Sequence, residues 1–133
     1  MSGDLVYLDT SVGLAHLLNA DVVPPERIWE ESLVSSRLLE YESWRRLHAL
    51  SFAESHGDSL LALLSGVAML ELAAPIVRRA QGGFPLLLRT LDALHLASLL
   101  FLEEQGQRVR LATYDRRMRE AADAMDLSLY DLT

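Results

Sequence analysis

The chain has 133 residues, half of them hydrophobic and 23% charged, which is enough apolar material for one compact core and excludes a disordered polypeptide. It contains no cysteine, so a disulfide framework and a thiolate metal site are both excluded, and a reducing cytoplasm is the expected setting. The net charge of -7 excludes a protein that coats nucleic acid by bulk electrostatics; all twelve basic residues are arginine, five of them between Arg108 and Arg119, so any grip on a polyanion is expected to be local.

Length and the lack of a Pro/Gly/Ser-rich linker predict a single domain over residues 1–133. The opening Met-Ser-Gly-Asp-Leu-Val has neither the basic nor the apolar region of a secretory leader, and Leu60 to Leu70, interrupted by Ser65 and Gly66, is too short to cross a bilayer. No membrane span is expected.

In chain order, Leu5-Val6-Tyr7-Leu8 reads as a short strand that stops at Asp9-Thr10-Ser11, where a side-chain oxygen can cap a helix over roughly Val12 to Asn19. Pro24-Pro25 opens a short helix through Ile28 and Trp29, and Leu33-Val34-Ser35 reads as a second strand. From Ser36 to about Glu54 a helical period places Leu39, Ser43, Trp44, Leu47 and Leu50 on one face, with Glu40 on that apolar side. Glu42, Arg45 and Arg46 lie opposite, at salt-bridge spacing, and Gly57-Asp58 is expected to break the helix. A Leu-rich helix follows, then a third strand within Val67 to Leu72, a helix begun by Pro75, and a loop marked by Gly82, Gly83 and Pro85. Leu87 to Glu104 is apolar nearly all round and predicts a buried helix ended by Gly106. Val109 to Ala112 is a fourth strand, Asp115 caps a helix with Met118, Ala121, Ala122 and Met125 on its core face, and Ser128 to Tyr130 is a last strand. Strands alternating with helices imply an α/β fold, a three-layer α/β/α sandwich around a mostly parallel sheet of four or five strands.

The acids carry the chemistry. In an open parallel sheet ligands bind beyond the carboxyl ends of the strands, and Asp9 and Asp115 follow two such ends. Asp92 and Glu40 come early in helices among apolar neighbours, a costly placement unless a cation or hydrogen bonds compensate it. A divalent cation is the simplest common cause. An all-oxygen ligand set favours hard ions, Mg²⁺ or Mn²⁺, and the matching reaction is phosphodiester hydrolysis by metal-activated water. Thr10, Ser11 and Thr113 are placed to orient carboxylates or waters around such an ion, with Asp9, Asp92 and Asp115 as its principal holders.

The strings Leu8-Asp9-Thr10-Ser11, Ser36 to Glu40 with Arg45-Arg46-Leu47, Leu91-Asp92-Ala93-Leu94-His95-Leu96-Ala97, and Thr113-Tyr114-Asp115-Arg116-Arg117 together resemble the PIN-domain family, specifically the VapC-type toxins. The resemblance implies a Mg²⁺- or Mn²⁺-dependent endoribonuclease, acting as the toxin of a toxin–antitoxin pair. It also implies a homodimer that forms a heterotetramer or larger assembly with the antitoxin. The family's four acids fall on Asp9, Glu40, Asp92 and Asp115. Where the family carries a glycine after the last Ala-Ala helix, this chain has Asp126, at a helix end remote from the acids.

Simpler readings exist for single residues. Asp115 and Asp9 are acceptable helix caps, Asp92 suits a helix dipole, and His95 on a buried helix reads as a hydrogen-bonded core residue without a catalytic role. Arg116 and Arg117, flanking Asp115, divide between solvent and RNA phosphate. The rival to a nuclease is an inactive module of the same fold that binds RNA or protein, with the acids only structural.

Overall fold

The computed structural model describes residues 4–133; Met1, Ser2 and Gly3, which begin the segment read above for a leader, lie outside the described residues. Five strands, β1 (Leu5–Leu8), β2 (Ser32–Ser36), β3 (Ala68–Leu70), β4 (Val109–Ala112) and β5 (Ser128–Leu129), pair in the order β3-β2-β1-β4-β5, and every pairing is parallel. Six α-helices join them: α1 (Thr10–Leu17), α2 (Arg37–Ala49), α3 (Ala53–Ser65), α4 (Ala74–Ala80), α5 (Thr90–Glu104) and α6 (Arg116–Ala124). The segment after Pro25 is a 3-10 helix, Glu26–Glu30.

Side-chain alternation along the strands divides the core into two layers, because successive residues of a strand point to opposite faces. Tyr7, Val34 and Leu111 pack with Leu96 and Leu99 of α5 and Met118, Ala121 and Ala122 of α6. Val6, Leu8, Leu33 and Ala112 pack the other way, with Val12 of α1, Leu39 of α2 and Ile28. The three-layer α/β/α sandwich expected from the sequence is thus realised with five strands. Among the described residues, no helix is long and apolar enough to cross a membrane.

Two helix boundaries differ from expectation, one of them at α5, which begins at Thr90 and leaves Leu87 exposed in the loop before it. The break after α2 is not at Gly57-Asp58 but at Leu50–Phe52, where Ser51 adopts a left-handed φ of 60° and Phe52 N donates to Leu47 O at 2.8 Å, a Schellman-type ending. Gly57 lies inside α3, and a Cβ there would meet Trp44 at 3.3 Å, so its function is close helix packing. Glycine is a poor guide to a helix end when tertiary contact needs its missing side chain. Gly106 does end α5, at φ +89°, and Asp126 takes the left-handed conformation (φ 57°) after α6.

The sheet order carries a functional consequence. From β1 the chain moves to β2 and β3 on one side, then returns to place β4 on the other, so strand order reverses between β1 and β4. At such a switch point the connections leave in opposite directions and open a crevice beyond the carboxyl ends of the two strands. Leu8 and Ala112 are the last paired residues there, and Asp9 and Thr113 come next.

Candidate active site

Asp9 lies at the floor of this crevice, 4% exposed. Its amide donates to Ala112 O at 3.0 Å, extending the β1–β4 ladder by one residue, and this fixes its backbone. Its Oδ2 accepts from Ser11 Oγ at 2.6 Å, Thr113 Oγ1 at 2.8 Å and, as the cap of α1, Ser11 N at 3.3 Å. Ser11 Oγ accepts in turn from Tyr114 N at 3.0 Å, and Thr113 Oγ1 accepts from Asp115 N at 3.0 Å. The two hydroxyls bind the β1 and β4 ends to each other and saturate one oxygen of Asp9. The other oxygen, Oδ1, faces His95 Nε2 at 3.8 Å.

Asp115 caps α6, its Oδ1 accepting from Met118 N at 3.0 Å. Asp92, in the first turn of α5, completes the trio expected from the sequence. Burial, followed by the charges of Asp115 and Asp9, holds the Asp92 carboxyl above the ordinary aspartate range, against the opposing pull of Arg89. The three carboxylates therefore share one electrostatic neighbourhood. Arg89, mostly exposed on the residue before α5, bridges two of them: Nε is 3.5 Å from Asp92 Oδ2 and Nη2 is 3.4 Å from Asp115 Oδ2.

The fourth acid differs from expectation. Glu40 does not reach the crevice; its carboxylate is 45% exposed and pairs with Arg37 at 3.4 Å, beside an Arg37–Glu71 pair of 2.8 Å. Glu42, read from the sequence as a surface residue paired with Arg45 and Arg46, reaches the crevice instead. Its Oε1 accepts from Thr10 Oγ1 and from His95 Nε2, both at 2.7 Å. Two helical residues are separated by about 200°, so Glu40 and Glu42 occupy nearly opposite sides of α2. The buried face comprises Leu38, Leu39, Ser43 and Leu47, and Glu42, one turn beyond Leu38, continues it toward the sheet end. Ser36, whose Oγ caps α2 by accepting from Leu38 N at 3.2 Å, sets that orientation together with Ser35, whose Oγ donates to Leu8 O at 2.7 Å.

His95 is the buried, hydrogen-bonded residue expected from the sequence; its carboxylate partner is what the sequence reading missed. The imidazole is 1% exposed, with Nδ1 on Tyr7 Oη at 2.8 Å and Nε2 on Glu42. Burial draws its pKa down, but Tyr7, the hydrogen bond to Glu42 and the charges of Asp9 and Glu42 outweigh it and push it up to about 10. Burial works against ionisation of Glu42 too, yet the His95 contact, with help from Thr10 and Arg89, brings its carboxyl below the ordinary range. A buried histidine needs partners for two ring nitrogens, and that requirement was the signal in the sequence for polar side chains at this end of the sheet.

The donor set suits a hard cation, being carboxylate and hydroxyl oxygen without thiolate. Asp92 Oδ2 is buried and accepts no hydrogen bond, since Arg89 stands at ion-pair distance only. Asp92 Oδ2, buried beside two further carboxylates with only an exposed arginine at ion-pair distance, is an anionic oxygen that a cation would compensate. Among the described residues, no three Asp, Glu or His side chains already converge as a closed set of ligands. The tight crowding expected from the sequence is therefore looser in the structure. An ion of the Mg²⁺ kind retains several waters and takes one or two direct carboxylates, so it does not require a closed set.

Of the remaining expected residues, Thr10, Ser11 and Thr113 all hydrogen-bond to Asp9 or Glu42. Arg116 and Arg117 are exposed in the first turn of α6, next to Asp115, and Arg117 Nη1 lies 3.5 Å from Leu87 O.

Comparison with known proteins agrees with this architecture. The family model described as the PIN domain matches residues 6–124. The chain is 32% identical over 135 aligned residues to the protein named Ribonuclease VapC35 of Mycobacterium tuberculosis, an alignment that covers 94% of this chain and 95% of the relative. It is 37% identical over 97 residues to Ribonuclease VapC46 of the same organism, covering 72% of this chain and 71% of that one. With a family model across most of its length and VapC-named relatives over nearly all of it, the chain belongs to the PIN-domain family as a VapC-type member.

Proposed function

We propose that this protein is a Mg²⁺- or Mn²⁺-dependent endoribonuclease that hydrolyses RNA phosphodiester bonds. The observation that carries the reading is the gathering of Asp9, Asp92 and Asp115, with Glu42, around the β1/β4 switch point, where Asp92 keeps a buried oxygen without a hydrogen bond. The relatives named as ribonucleases support it. Asp9, Asp92 and Asp115 would hold the ion, and Glu42 takes the place first given to Glu40, completing the shell of the ion. A bound divalent cation supplies Lewis-acid stabilisation of phosphate charge and lowers the pKa of an attacking water.

The protein's own residues set the geometry. Ser11 and Thr113 occupy Oδ2 of Asp9, which leaves Oδ1 directed into the crevice. Glu42, ionised by its contacts with His95 and Thr10, is a proton acceptor at the mouth of the site. Arg89 is exposed and adjacent to two of the acids, and once it is released from them its guanidinium is positioned for a substrate phosphate. Arg116 and Arg117 extend a basic edge on the same side for the RNA backbone.

In the cell the protein acts, on this reading, as the toxin of a VapBC-type pair in the cytoplasm. Its partners are a cognate antitoxin that offers a basic side chain to the acid cluster, and a second copy of itself, in a heterotetramer or larger assembly. Exposed Leu61 on α3 is part of an available apolar contact surface. The test is direct. Asp9→Asn and Asp92→Asn are each expected to abolish divalent-dependent cleavage of RNA by the purified protein, and retained cleavage in either variant refutes the assignment.

A further inference from the structure

We propose that His95 is a positioning residue for the proposed hydrolysis, holding the Glu42 carboxylate at the acid cluster through Nε2 while Tyr7 clamps the ring through Nδ1. The proposal rests on the reading of Glu42 as a member of the site.

The imidazole is reached from three other elements. Tyr7 Oη of β1 lies 2.8 Å from Nδ1, and the two rings meet edge to face at 83°. Glu42 Oε1 of α2 lies 2.7 Å from Nε2, and Thr10 Oγ1 of α1 is 3.4 Å from the same nitrogen. A carboxylate oxygen only accepts, so Nε2 is the donor to Glu42. Thr10 Oγ1 donates to the same Oε1, so the carboxylate is gripped from two directions.

A purely structural histidine would satisfy itself against core backbone or hydroxyl groups. This ring instead directs one nitrogen out of the core to a carboxylate at the crevice mouth, with Asp9 Oδ1 also within 3.8 Å. The alternative for Glu42 is local: Arg45 and Arg46 stand three and four residues on, at helical ion-pair spacing, and both are exposed. Without the His95 donor, Glu42 is free to turn toward them and leave the site. His95 thus decides whether α2 presents a carboxylate to the crevice or to solvent. Tyr7, packed beneath the sheet end at 0% exposure, keeps the ring from rotating out of that position.

Amide replacements separate the two nitrogens. A glutamine at position 95 can place an amide donor near Nε2, and an asparagine near Nδ1 only. Mn²⁺ binding by calorimetry is the primary measurement, with RNA cleavage against Mg²⁺ concentration alongside it. His95→Asn is expected to weaken Mn²⁺ binding about tenfold or more, in the range typical of residues that orient metal ligands, while His95→Gln stays within about threefold of the parent. Tyr7→Phe, a milder change that keeps the core filled, is expected to weaken Mn²⁺ binding several-fold and decides the matter if neither His95 variant folds. Equal losses in the Asn and Gln variants, or parent-like Mn²⁺ binding in His95→Asn or Tyr7→Phe, overturn the positioning role. A failure of the underlying reading looks different: Glu42→Gln would then bind Mn²⁺ and cleave RNA like the parent, whatever the His95 variants do.

Discussion

Replacing Glu42 and Glu40 separately by alanine gives opposite outcomes, because the two carboxylates lie on opposite sides of one helix. Glu42 accepts two hydrogen bonds of 2.7 Å, one from a fully buried histidine, and its own side chain is 23% exposed. Hydrogen bonds to a charged group contribute about 1.5–3 kcal/mol each, and deleting one partner of a buried pair costs about 3–5 kcal/mol. Partial exposure places Glu42→Ala at the lower end, about 3 kcal/mol. For a domain of this size that is a fall in Tm of roughly 10 °C in EDTA, at about 3–4 °C per kcal/mol. Glu40 has only an exposed ion pair with Arg37, worth about 0–1 kcal/mol, and alanine suits a helix interior at least as well. Glu40→Ala is expected to stay within about 3 °C of the parent by the same conversion. Differential scanning calorimetry of the metal-free proteins measures the first effect. Cleavage of a labelled RNA with Mg²⁺ measures the second, with a loss of at least about tenfold for Glu42→Ala and parental activity for Glu40→Ala. Equal Tm shifts, or cleavage lost in the Glu40 variant and kept in the Glu42 variant, would show that the orientation of α2 described here is wrong.

Four further outcomes follow from particular contacts. Asp92→Asn removes a buried charge that its neighbours disfavour, so the metal-free variant should melt above the parent in calorimetry even though it no longer cleaves RNA. Arg89→Gln removes the guanidinium between Asp92 and Asp115; since an exposed pair is worth about 1 kcal/mol or less, Mn²⁺ affinity by calorimetry should rise by up to about fivefold. Asp126→Gly relieves a left-handed residue and should stabilise the protein by about 1 kcal/mol, read as a Tm rise of roughly 3–4 °C. His95 is raised from 6.5 to about 10, so its proton is bound more tightly in the folded state; the stability it contributes is complete below pH 6.5 and is lost as pH climbs through about 10. Metal-free melting temperatures measured between pH 6.5 and 10 should fall accordingly, and more steeply in the parent than in His95→Gln.

Much of the frame was legible in the linear order of residues because it rests on local patterning. Short apolar runs ending at Asp9 and near Asp115, and helical periods with caps and a closing Gly106, sufficed for the alternation of strands and helices and for placing both acids at strand ends. Asp126, which stands where the resemblance implies a helix-ending glycine, does take the left-handed conformation. The α2–α3 boundary was not legible, since Gly57 is small to admit Trp44 from another helix, a demand that no window along the chain contains.

The acid assignments divide on the same line. Asp9, Asp92 and Asp115 were readable because strand ends and helix starts determine where their side chains begin. Glu40 and Glu42 border the apolar face of α2 on its two sides, and exchanging Trp44 for Leu38 as a member of that face rotates it away from Glu40 and toward Glu42. Only packing resolved it, once the Leu38 and Leu39 face was pressed against the core and His95, brought in from α5, required an acceptor at the sheet end. A hydrogen bond between residues 53 positions apart is a property of the folded chain: helical periodicity narrows which face of α2 carries the carboxylate, and the buried imidazole selects the residue.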